Sequence, residues 1–110
     1  SNESKAYEID AELNAAIQAF KQRFLTNRLP NHLVQLNLFV AGDSGANKAS
    51  VRAALHSMAG EAGMVELHEI GDLARRLETQ LDGQEISEEE LRLQVHALIQ
   101  KIQAAINDSV

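Results

Sequence analysis

Along almost the whole chain, apolar residues recur every three or four positions and never alternate with a period of two, so the pattern predicts helices and no strand. Ile9, Leu13, Ala16, Ile17, Phe20 and Phe24 fall on one face of a first helix over Tyr7 to Leu25. Thr26-Asn27-Arg28-Leu29-Pro30 interrupts it. Pro30 has no amide hydrogen and its ring crowds the preceding turn, which predicts either a kink or a break with Pro30 in a new first turn. A second stripe follows at Leu33, Leu36, Phe39 and Val40.

Ala41-Gly42-Asp43-Ser44-Gly45 concentrates turn formers and reads as a loop, with Ser44 or Asn47 available to cap the next helix. That third helix starts at about Lys48 with Val51, Leu55, Met58 and Ala62 inward. Gly60 and Gly63 should weaken its end, each costing about 1 kcal/mol against alanine in a helix interior. The chain is expected to restart at Met64 or Val65, with Leu67, Ile70, Leu73, Ala74, Leu77 and Leu81 on the inner face of a fourth helix that Asp82-Gly83-Gln84 closes. Ser87-Glu88-Glu89-Glu90 has the form of a capping box, and its carboxylates suit the positive end of a helix dipole. The last helix buries Leu91, Val95, Leu98, Ile102 and Ile106.

Short loops between helices of similar length imply antiparallel neighbours. The expected fold is all-α, an antiparallel up-down four-helix bundle whose N-terminal helix packs across it or extends one member. Ser1-Asn2 reads as an expression scar, residues 1–6 as a disordered start, and residues 7–110 as a single domain. An exposed apolar face on the first helix would hint at a dimer.

Composition narrows the chemistry. A chain of 110 residues, 45% apolar and 24% charged, supports one globular core and excludes disordered and collagen-like classes. The absence of cysteine removes disulfides, thiolate metal sites and thiol catalysis, and it suits a reducing compartment, with the cytoplasm as the expected location. No apolar run approaches the roughly 20 residues that cross a bilayer, so membrane insertion is not expected. A net charge of −6 repels a polyphosphate backbone, and the scattered Lys and Arg offer it no patch. The acidic run from Glu85 to Glu90 is explained by capping. His68 and Asp72 provide only two ligands at i,i+4, so no metal is expected; a metalloprotein bundle would need inward Glu and His on several helices.

His56 stands out because it lies about 140° from the centre of the third helix's apolar stripe and therefore faces solvent. Arg52 lies one turn before it, Gly60 one turn after and Gly63 a further turn on, with Ala59 at the margin and Lys48 near the helix start. Small residues beside the ring leave room for something large. A neutral imidazole, with an ordinary pKa of about 6.5, is a nitrogen nucleophile at neutral pH without an activating base, and its phosphoramidate can give the group away again. Positioning, metal ions and charge stabilisation for phosphoryl transfer can come from a partner protein. His32, His68 and His96 read as surface or boundary residues.

His56-Ser57-Met58-Ala59-Gly60-Glu61-Ala62-Gly63, followed without a gap by Leu67, Ile70, Leu73, Ala74 and Leu77-Glu78, resembles the signature of the histidine phosphotransfer family. Phe24, Leu29-Pro30, Leu33, Leu36 and Asp43 are similar to that family's preceding helix and loop. The resemblance implies a four-helix bundle whose exposed His56 takes a phosphoryl group from a receiver-domain aspartate and passes it to another. Response-regulator receivers, or a hybrid sensor kinase, are the implied partners. The chain itself needs no cofactor, and magnesium belongs to the receiver.

Two positions depart from the family pattern. Ala59 stands where a lysine is usual, and Glu66 where the turn carries a glycine. Arg52, with Lys48, is expected to supply the missing cation, while Ala59, Gly60 and Gly63 permit close approach. The alternative is a degenerate domain or helical adaptor that binds a receiver without transfer.

Overall fold

The computed structural model describes residues 2–42, 47–83 and 86–109. Five α-helices follow one another, α1 Asn2–Arg23, α2 Leu29–Val40, α3 Lys48–Met64, α4 His68–Gly83 and α5 Glu88–Asp108, with no strand among the described residues. A π-helical segment, Phe24–Arg28, joins α1 to α2 so that they form one long rod. Pro30 explains that segment: its ring clashes with the carbonyl four residues earlier, and a wider turn relieves the clash. The Leu29 amide accordingly bonds to the Phe24 carbonyl five residues back. Pro30 sits in the first turn of α2, as one of the two expectations at this position had it, while the helical path continues through the π segment.

The rod corrects the reading of the first helix. Residues 2–6 are helical rather than a disordered start. The apolar face reaches the core only at its far end: α1 contains no fully buried residue, Ile9 is 63% and Leu13 57% exposed, Phe20 packs partly buried against the core, and Phe24 just beyond α1 is fully covered. Periodicity reports that an apolar face exists, not that anything lies opposite it, and here the core reaches no further than the last turns of α1.

Four antiparallel members, α2 with its π segment, α3, α4 and α5, close into a ring in which each helix packs against its chain neighbours and α5 returns to α2. Their inner faces carry the expected stripes, and Leu36, Val51, Leu55, Leu77, Leu98 and Ile102 are fully buried. At about 25 cal/mol per Å² of apolar surface removed from water, this core is the main favourable term in folding.

Turns set the register of α3 and α4. Asn47 caps α3 reciprocally, its Oδ1 accepting from the Ser50 amide at 2.9 Å while the Asn47 amide donates to Ser50 Oγ at 3.0 Å. Ser44, the other candidate cap, lies outside the described residues. The helix then runs straight through Gly60 and Gly63 to Met64. It stops because Glu66 adopts a φ of +66° and the Leu67 amide turns back to the Ala62 carbonyl at 3.0 Å, a left-handed cap closed by a 6→1 bond. Residues expected to open α4 thus belong to the corner, and α4 begins at His68. A non-glycine residue in that conformation costs roughly 1–2 kcal/mol. Beyond the corner, Gly71 lets the helices approach: a Cβ there would stand 3.4 Å from the Ala59 carbonyl and 3.5 Å from Ala62 Cβ. At α5, Ser87 Oγ accepts from the Glu90 amide at 3.1 Å, but the Glu90 carboxylate accepts from Gln94 instead of reaching back, so half of the predicted box forms.

Candidate functional site

His56 projects from the middle of α3, its side chain 77% exposed. The core-facing residues Leu55 and Met58 on either side of it are fully buried, so the stretch of α3 that carries the imidazole is held rigidly. Across the seam, Glu78 of α4 reaches the ring: Nδ1 lies 2.7 Å from Oε2. An ionised carboxylate only accepts, so at this distance Nδ1 carries the hydrogen and donates it. In the neutral ring, the lone pair then sits on Nε2.

One helical turn away, the same antiparallel register brings Arg52 to Asp82, with Nε 2.5 Å from Oδ1 and Nη2 3.3 Å from Oδ2. That pairing holds the Asp82 carboxyl below its ordinary range and raises Arg52 above its own. The guanidinium is therefore committed to α4. Arg75, one turn before Glu78 on α4, is exposed and makes no side-chain ion pair among the described residues.

Gly60 and Gly63 are exposed, and a Cβ at either would meet nothing within 4 Å. Packing therefore does not demand glycine at these positions, and the surface beyond His56 is open. Ala59 is different. It is 4% exposed, beneath the seam where Gly71 presses on its carbonyl, so it belongs to the packing between helices and not to the accessible surface assigned to it. Lys48 is exposed in the first turn of α3, about 12 Å along the axis from His56.

A second histidine meets a carboxylate on another side of α3. His32 Nε2 lies 3.4 Å from Glu61 Oε1, and Arg28 grips the same carboxylate through Nε and through Nη2 at 2.8 Å. Burial pushes the Glu61 carboxyl up, but the hydrogen bonds from Arg28 and His32 outweigh it and hold the group below its usual range. His68 and His96 are exposed.

The apolar pattern placed His56 in solvent but did not pair it with Glu78. Glu78 was visible only as the last letter of a signature, since pairing it with a residue 22 positions away requires the register of two helices.

A rigid helical bundle presenting one carboxylate-oriented imidazole over open surface defines a class of domains suited to carry a group on a ring nitrogen. The Hpt domain family model matches residues 8–105, nearly the whole chain, and the chain belongs to that family, whose role is phosphotransfer in two-component signalling with response-regulator receivers. Comparison with curated proteins and with solved structures gives no match. Among the described residues no helix is long and apolar enough to cross a membrane.

Proposed function

We propose that the chain is a phosphorelay intermediate in which Nε2 of His56 accepts a phosphoryl group from a receiver aspartate and passes it to another. The observation that carries this reading is the His56–Glu78 pair: the carboxylate holds the hydrogen on Nδ1 and leaves the nucleophilic nitrogen facing solvent. In the transfer, the Nε2 lone pair forms the N–P bond as the acyl-phosphate P–O bond breaks, and the carboxylate returns to the receiver. The ring keeps its Nδ1 hydrogen and becomes positive, and Glu78 stabilises that charge. The receiver's magnesium would meet the phosphoryl oxygens.

Arg52 is tied to Asp82, so the role of cation for the phosphoryl group passes to Arg75, which is exposed, makes no side-chain ion pair among the described residues and stands one turn before Glu78 on α4. The absence of a lysine at Ala59 keeps a second reading in play, a domain that docks a receiver without accepting phosphate.

Incubation with a receiver phosphorylated in the presence of magnesium distinguishes the two. Acid-labile label on the wild-type chain, lost at least a hundredfold in His56→Gln, is the expected result. Receiver binding without label supports the docking form and overturns the relay.

A further inference from the structure

We propose that α1 is a self-association element and that two copies of the chain pair along it in antiparallel orientation. Helix α1 is 22 residues long, about 33 Å, yet none of its residues is buried. Most helical stability in proteins comes from packing an apolar face, and three large apolar side chains, Tyr7, Ile9 and Leu13, stand 78%, 63% and 57% exposed on it. Spacing identifies what the face fits. Ala6, Ile9, Leu13 and Ala16 alternate three and four residues apart and lead into Phe20, which already packs partly against the chain's own core; this is the seam by which one helix packs against another, whereas a flat or extended partner would not need that rhythm.

Charge selects the partner and its direction. The first half of α1 carries Glu3, Glu8, Asp10 and Glu12 against Lys5, while the second half has Lys21 and Arg23 and no acidic residue. The helix dipole tolerates this polarity within one helix. Between two copies it decides the orientation: parallel pairing sets the acidic halves against each other, whereas antiparallel pairing sets each beside the other's Lys21 and Arg23. The surface is then complementary to itself about a two-fold axis, as a closed dimer requires. A groove at the root of α1, lined by Leu25, Leu67, Ala105 and Asp108, would receive the first turns of the partner's helix. His56 lies on α3 and not on α1, so the inference does not depend on the chemistry assigned to His56.

Sedimentation equilibrium of the intact chain tests association, with a dimer expected at tens of micromolar. Leu13→Glu should give a monomer with less helical ellipticity and an unchanged unfolding transition, because Leu13 contributes nothing to the bundle core. The chain has no cysteine, so a single spin label introduced at Lys5→Cys reports direction. Antiparallel copies should hold the two labels beyond about 20 Å, given the helical rise, whereas parallel copies would bring them within about 15 Å. A wild-type monomer at every concentration, a Leu13→Glu variant that still dimerises, or the short label distance each overturns the proposal.

Discussion

Two histidines of this chain face two glutamates across helix seams, and the pairs have different fates. His32 is largely covered and shares Glu61 with Arg28, which satisfies the carboxylate twice over and leaves the imidazole one contact in a network. His56 is open to solvent, and its Glu78 makes no ion pair with a Lys or Arg among the described residues. Residue types are the same in both pairs. What differs is whether the carboxylate spends its charge on a guanidinium or on the ring, and whether the other ring nitrogen can be reached. On the proposed reading, reactivity depends on accessibility and on competition for the acid, not on a histidine being near an acid.

Removing the acid from each pair breaks this comparison most sharply. Glu78→Ala should slow phosphoryl transfer to His56 by about tenfold or more, because the ring loses both its fixed tautomer and the charge that offsets its developing cation. Glu78→Gln should recover part of the loss, since the amide oxygen still accepts from Nδ1. Glu61→Ala should leave the rate within about twofold. Stopped-flow measurement of dephosphorylation of the donor receiver checks all three, and equal effects of the two alanine variants would dissolve the distinction.

Much of this arrangement is legible in the chain. Helices α3, α4 and α5 carry their stripes inward as expected, and the angle of His56 from the stripe of α3 correctly placed it in solvent. Single-helix periodicity resolves such questions because they concern one element at a time. It does not resolve pairings between elements. Arg52 looked available one turn before His56, but Asp82, thirty residues on, claims it. Ala59 looked like rim, but α4 approaches so closely at Gly71 that it is buried. Likewise the face of α1 was legible, but not that only its last turn, at Phe20, meets the chain's own core.

Charge around the open pair can be tested with a smaller effect. Arg75→Ala should slow transfer about threefold, and more at low salt, because an exposed cation acts partly through long-range attraction that ions screen. Arg52→Ala should cost less, since its guanidinium already serves Asp82, and Lys5→Ala on distant α1 should do nothing. A ranking with Arg52 above Arg75 would return the role to the residue that sequence reasoning favoured.

The closed pair should show itself in stability rather than in transfer. Glu61 is held below its ordinary range in the folded chain, against about 4.3 in the unfolded chain. A depressed carboxyl binds fewer protons when folded, so its stabilisation is complete above about pH 4.3 and is lost as pH falls through the lower folded value. Water on its exposed side screens the interaction, leaving about 1 kcal/mol. Urea unfolding at a series of pH values should therefore show wild-type stability dropping through the acid range more steeply than that of Glu61→Gln, with the two curves converging at the lowest pH. Parallel curves would mean that Arg28 and His32 do not hold this carboxylate, and the contrast between a structural and a chemical histidine would lose its closed half.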